Sequence, residues 1–224
     1  MCLPNIIIPG YMAGAEPYRG LEQLLNQQGF KTIVVPLKWW EWLPTIGGRS
    51  VAPILQRIDD TIKQAMSQFQ TEQVNLIGHS AGGWLARIYL GEKPYKEKVW
   101  DGKPLVKKLV TLGTPHLSQE KWTRSNLDFV NNNYPGAHYG EIEYICVAGK
   151  AIYGEKKLAT WIPYNSYELT CGEGNTWGDG ITPILAAHLE GAENITIDGV
   201  IHSPKPNQIW YGSPEILPTW TKYL

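Results

Sequence analysis

The sequence predicts an α/β fold: a mostly parallel sheet of about six strands with helices on both faces, formed as one domain over residues 1–224. Three observations predict it. Short, β-branched apolar runs recur along the whole chain. Segments with a helical spacing of apolar residues separate most of them. No Pro/Gly/Ser-rich linker and no internal repeat divides the 224 residues. Strands that are apolar throughout belong in a sheet covered on both sides, and their alternation with helices marks parallel crossover units.

Residues 5–9, Asn-Ile-Ile-Ile-Pro, read as the first strand, ended by Pro9-Gly10. Residues 16–28 read as a helix with Leu21, Leu24 and Leu25 on one side, and Gly29 stops it. Residues 31–36 form the second strand. Over 51–69, Val51, Ile54, Leu55, Ile58, Ile62, Ala65, Met66 and Phe69 recur at steps of three and four, which gives a helix one apolar face. Residues 73–78 are the third strand, with a helix directly after it. The fourth, fifth and sixth strands fall at 107–113, 142–148 and 194–198. Two stretches stand outside the alternation. Residues 37–50 contain Trp39, Trp40, Trp42 and Pro44, and residues 117–140 contain three consecutive asparagines followed by Tyr-Pro-Gly. Both follow strand ends, where long insertions serve as lids or binding loops.

Composition narrows the function. Twenty Lys+Arg against 21 Asp+Glu leave a formal net charge of −1, so the basic excess of a nucleic-acid-binding protein is missing. No apolar run approaches the ~20 residues that cross a bilayer. Ten Trp and 12 Tyr against 3 Phe make the aromatic load mostly amphipathic, which suits an aromatic-lined pocket or a lipid-facing rim as well as a core. Lys93, Lys96, Lys98, Lys103, Lys107 and Lys108 form a loose cluster mixed with acids. It reads as a solvated loop, with transient contact to an anionic membrane surface as the alternative. The three cysteines, Cys2, Cys146 and Cys171, make no C-x-x-C pair and no closed disulfide framework. There is no metal-ligand constellation, and no cofactor is expected. No basic segment with an apolar run after it marks a signal peptide, so the expectation is a cytoplasmic, reduced protein. The oligomeric state is left open.

The chemistry concentrates at Gly78-His79-Ser80-Ala81-Gly82, a G-x-S-x-G match followed by Gly83. Its context is a strand before it, Gln73-Val74-Asn75-Leu76-Ile77, and a helix after it, Trp84-Leu85-Ala86-Arg87-Ile88-Tyr89-Leu90. A serine at so sharp a strand-to-helix turn occupies a strained backbone region. Side chains at Gly78 or Gly82 would meet the backbone folding back on itself. The helix that starts there aims its positive end at the serine and favours an oxyanion formed beside it.

Together with Leu112-Gly113-Thr114-Pro115-His116 and the Pro9-Gly10 turn after the first strand, this elbow resembles the α/β-hydrolase superfamily. It is most similar to the compact bacterial lipase and esterase branch and to the lipase-like GPI inositol-deacylases, over most of the chain. The resemblance implies an α/β-hydrolase fold in a minimal version lacking the first two strands. It also implies Ser80 as nucleophile and a chain order of serine, acid, histidine. Of His79, His116, His138, His188 and His202, only His202 follows the sixth strand, which assigns it as the base. Asp179, in Trp177-Gly178-Asp179-Gly180, corresponds to the Gly-Asp-Gly segments that hold the acid in lipase-like members, and Asp198 is its rival. The oxyanion hole would use the backbone N–H of Ala81 and that of Tyr11, with Met12 as the alternative to Tyr11. The implied function is a serine carboxylic-ester hydrolase working through an acyl-enzyme on a small-molecule or lipid ester. An acyltransferase, thioesterase or amidase with the same triad, and a catalytically silent binding member of the fold, are the alternatives.

Overall fold

Four isoleucine-rich or valine-rich strands of four to eight residues form the centre of the sheet, and everything else is arranged on them. The computed structural model describes residues 3–224. In chain order the elements are β1 (Asn5–Ile8), α1 (Arg19–Gln27), β2 (Thr32–Val34), α2 (Ala52–Phe69), β3 (Val74–His79), α3 (Ala81–Leu90), β4 (Val106–Leu112), α4 (Lys121–Asn133), β5 (Glu143–Lys150), β6 (Ile152–Tyr153), α5 (Trp161–Cys171), β7 (Trp177–Gly178), α6 (Ile184–Ala187), β8 (Glu193–Asp198) and α7 (Leu217–Thr221). Six strands pair in the order β2-β1-β3-β4-β5-β8, and each pairing in that sheet is parallel.

The pleat explains why the central strands are apolar on both sides. Ile6, Ile8, Leu76 and Leu109 point into a core shared with α2 and α3, whereas Ile7, Ile77, Val110 and Leu112 point into a second core closed by α1 and by Trp220 of α7. Successive strand residues face opposite ways, so a sheet covered on both faces needs apolar residues at every position. Each of the three fully buried isoleucines of β1 stabilises the fold by roughly 2 kcal/mol. A polar break at the start of β1 and β3 is bridged: Asn75 Nδ2 donates to Asn5 Oδ1 at 3.0 Å. β8 differs because it is an edge strand, and its Asn-Ile-Thr-Ile-Asp pattern leaves alternate residues exposed.

Parallel pairing also decides where the site lies. In register, Ile8 sits beside Gly78 and His79 beside Leu112. The loops leaving β1, β3, β4 and β5 therefore emerge at one edge of the sheet, the place where open α/β sheets bind their ligands.

The two stretches outside the alternation resolve differently. Residues 37–50 hold a 3-10 helix, Trp39–Thr45, with Trp42 fully buried. Of residues 117–140, most is α4, the crossover helix between β4 and β5, and it buries Leu127 and Val130 in the core. Its asparagines hid it: apolar residues are few along Lys121–Asn133, and the helix is held by side chains of α3 as well, as in Arg87 Nη1 donating to Asn131 Oδ1 at 3.0 Å. A further excursion had no sequence-level expectation. Between β5 and Asp179 the chain forms the antiparallel β6–β7 pair and α5, which expose Leu158, Trp161 and Ile162. Among the described residues no helix is long and apolar enough to cross a membrane.

Candidate active site

Ser80 sits at the tip of the β3–α3 turn with φ 52° and ψ −123°, a region that ordinary side chains avoid and that costs ~1–3 kcal/mol. The turn survives because its neighbours are glycine. A methyl on Gly78 would collide with the backbone of Gly83, and one on Gly82 with the carbonyl of Ile8. Ser80 N donates to the Leu112 carbonyl at 2.9 Å, which pins the elbow to β4. All ten residues of α3 are buried, so its N-terminus is a fixed dipole end aimed at Ser80.

The loop after β8 delivers His202. Its Nδ1 lies 2.7 Å from Asp179 Oδ2, and a carboxylate only accepts, so Nδ1 carries a proton, which in the neutral ring leaves the lone pair on Nε2. The backbone repeats the link, His202 N donating to the Asp179 carbonyl at 2.9 Å. Asp179 is saturated: Tyr211 Oη donates to Oδ2 at 2.7 Å, and the N–H groups of Ile181 and Thr182 donate to Oδ1 at 3.0 and 2.7 Å. Burial alone pushes this carboxyl up. The His202 ring beside it, then the Thr182 N–H and the Tyr211 hydroxyl, outweigh that and hold it below the ordinary carboxylate range. Tyr211 is itself fixed, accepting from Gly149 N at 2.8 Å.

His79 does more than pack beside the elbow. The His202 carbonyl can only accept, so His79 Nε2–H donates to it, at 2.8 Å. Nδ1 then accepts from the Tyr18 hydroxyl at 2.8 Å, and that oxygen accepts from Gly10 N at 2.9 Å. Burial, followed by the nearby charge of His202, pushes His79 down to about 3 and keeps it neutral, as the chain of donors requires. One buried relay thus joins the turn after β1, the nucleophile elbow and the loop of the base.

The turn after β1 lies against the nucleophile: a methyl on Gly10 would stand 2.9 Å from Ser80 Cβ. The N–H groups of Tyr11, Met12 and Ala81 donate to no group among the described residues, so either reading of the first oxyanion donor has a free amide. Trp42 braces this turn, its Nε1 donating to the Ala13 carbonyl at 3.0 Å and its ring meeting Tyr11 edge-on at 5.1 Å.

The structure therefore brings Asp179 and His202 into direct contact, and sets the Gly10–Tyr11 turn against Ser80. His202 meets the elbow at His79, the residue before Ser80, whose ring centroid is 4.9 Å from that of His202; no hydrogen bond joins Ser80 Oγ to the imidazole in the free protein. Such bonds are often long until substrate binds. Asp198 does not join them. It is 87% exposed and pairs with Lys150 at 3.3 Å. His116 is buried between Arg87 and Cys146, His138 packs on Tyr134 and Tyr139, and His188 reaches Thr196. Tyr18 and Tyr211 were not legible as site residues, because each is a single tyrosine outside any motif.

Two clefts flank the site. One, of about 420 Å³, is lined by Tyr11, Trp42, Val51, Ser80, Ala81 and Trp84, with Glu120 and Asn126 from the far wall. The other, of about 330 Å³, touches Asp179 and His202 and is walled by Ile152, Ile162, Pro163 and Ile201.

A family model described as an alpha/beta hydrolase of unknown function (DUF915) matches residues 50–158. No curated protein matches the chain in sequence. Among solved structures, a gene product of Listeria innocua is similar with a TM-score of 0.52 and 15% identity, over 98% of this chain and 92% of its own. An alpha-beta serine hydrolase homologue from Coxiella burnetii is similar with a TM-score of 0.50 and 12% identity, over 90% and 77%. At such identities the likeness is one of fold, and the chain has the α/β-hydrolase fold.

Proposed function

We propose that this α/β-hydrolase-fold protein is a serine hydrolase of carboxylic esters, with Ser80 as nucleophile, His202 as base and Asp179 as the acid that orients it. The observation that carries this reading is the 2.7 Å Asp179–His202 bond on a loop held against the elbow of a strained serine. Ser80 Oγ attacks the ester carbon and gives its proton to His202 Nε2. Asp179 fixes the tautomer and stabilises the imidazolium. The free N–H groups of Ala81 and Tyr11 receive the oxyanion. His202 then protonates the leaving alkoxide, so the alcohol departs on the histidine side, and the acyl group occupies the cleft lined by Ser80 and Ala81. Water, deprotonated by His202, releases the acid. The aromatic walls of that cleft, Ile162 on the wall of the second cleft, and the exposed Leu158 and Trp161 just before it in the chain favour an apolar or lipid-like ester over a small soluble one, with brief contact at a lipid surface.

A fluorophosphonate probe tests the reading. Covalent capture at Ser80, abolished in Ser80→Ala, is the expected result, together with release of p-nitrophenol from p-nitrophenyl esters. Labelling that persists in Ser80→Ala removes the nucleophile assignment.

A further inference from the structure

The cleft beside Ser80 is apolar at most of its wall but carries one buried amide whose orientation is fixed. Val51 N lies 3.2 Å from Tyr95 Oη. A backbone N–H only donates, so the tyrosine oxygen accepts there, and its own proton is left for Asn126, 2.7 Å away. Asn126 must therefore turn Oδ1 to Tyr95 and keep Nδ2 on the other side. Neither N–H of Nδ2 has a partner among the described residues, although the residue is only 5% exposed. Two hydroxyls of this wall are engaged within the chain: Thr45 Oγ1 donates to the Trp42 carbonyl, and Thr123 Oγ1 donates to Glu120 Oε2. An amide donor on a cleft wall that an entering group seals off without an acceptor is costly, and this cleft, lined by Asn126 and Ser80, is the one the acyl group enters.

We infer that the cleft selects acyl groups bearing a neutral oxygen acceptor (oxo, hydroxy or ether) along the chain, received by Asn126 Nδ2. This rests on the proposed role of Ser80. Two features narrow the class. The Glu120 carboxylate shares the wall and repels a second anion, which excludes a dicarboxylic acyl group. The remaining surface, from Trp42, Val51 and Trp84, is buried and suits methylenes on either side of the oxygen. A plain alkyl chain would fill the volume but leave the donor unpaired, and a site built to hydrogen-bond a substrate discriminates against the analogue that lacks the group.

The test compares rates of Ser80 capture by isosteric fluorophosphonates: a heptyl probe, and three in which a carbonyl replaces the methylene at the fourth, fifth or sixth carbon. In the natural protein at least one oxo probe should react roughly tenfold faster than the heptyl probe, the worth of one well-made neutral hydrogen bond. Asn126→Asp keeps the acceptor for Tyr95 and removes the donor, and Asn126→Leu removes both. In each, the oxo-to-heptyl ratio should fall to about one. The ratio is taken within each protein, so it does not depend on the fraction folded. Equal rates for all four probes in the natural protein, or a preference that survives both substitutions, overturns the inference while leaving the hydrolase reading intact. Failure of every probe to label Ser80 overturns the hydrolase reading, and this one with it.

Discussion

At the scale of single residues, the two candidate acids differ in what surrounds them more than in sequence position. Asp179 receives four hydrogen bonds in a dry setting, whereas Asp198 stands in water beside Lys150. Removing the charge at Asp179 frees His202 to take the wrong tautomer, so Asp179→Asn should lower kcat/KM on p-nitrophenyl esters by about four orders of magnitude. Asp198→Asn should change it less than twofold, because an exposed ion pair contributes ~0–1 kcal/mol. A larger loss in Asp198→Asn would reverse the assignment. Tyr211→Phe deletes one donor to Asp179 and strands the Gly149 N–H. It should cost about 1–3 kcal/mol of stability in urea titration and slow turnover less than Asp179→Asn does. Ser80, Asp179 and His202 could be named as candidates from the sequence because each lies in a short pattern with a steric or topological reason behind it. Tyr18 and Tyr211 were not, since a tyrosine that reaches a site through tertiary packing leaves no local trace.

At the scale of elements, the elbow is a trade between backbone strain and tight packing. The turn holds Ser80 at positive φ because β1, β3 and α3 approach too closely for any other path, with Gly82 against the Ile8 carbonyl. Gly82→Ala forces that contact apart and should lower stability by about 1–3 kcal/mol. Ser80→Gly does the reverse: glycine accepts the same dihedrals, so that variant should be more stable than Ser80→Ala by about 1 kcal/mol or more, with both unreactive to fluorophosphonate. Equal melting temperatures for the two would mean the serine backbone stores no strain. The six strands and the helices α1, α2 and α3 were legible for the reason that made them stable, an apolar period matching a buried face. α4 was not, because its Asn-rich surface is held by hydrogen bonds to α3 rather than by a wide apolar stripe. The β6–β7 pair and α5 were missed since two-residue strands carry no period, and α5 shows its apolar residues to solvent as well as to the core.

At the scale of the whole molecule, the relay from Gly10 through Tyr18 and His79 to His202 makes three separate loops one unit, and it requires an imidazole that stays neutral inside the protein. That requirement has a pH signature. His79 titrates near 6.5 in the unfolded chain but is pushed down to about 3 in the folded one, by burial first and then by the charge of His202. Above pH 6.5 both states are neutral and His79 leaves stability independent of pH. Below it, the unfolded chain binds a proton that the folded chain refuses, so stability falls by about 1.4 kcal/mol per pH unit until the folded value is reached. His116, lowered by burial and by Arg87, acts in the same direction. Asp179 is silent over the upper part of this window, above about pH 4: its carboxyl is lowered on folding, so its contribution is complete above the unfolded value near 3.9 and is lost only at lower pH. His79→Gln retains one donor and one acceptor but cannot titrate. Urea unfolding at pH 7 and pH 5 should therefore show the variant losing about 2 kcal/mol less than the natural protein over that interval, even though it is the less stable of the two at pH 7. Parallel pH dependences in the two proteins would mean that His79 takes up its proton in the folded state, and the donor order from Tyr18 to the His202 carbonyl would have to be reversed or broken.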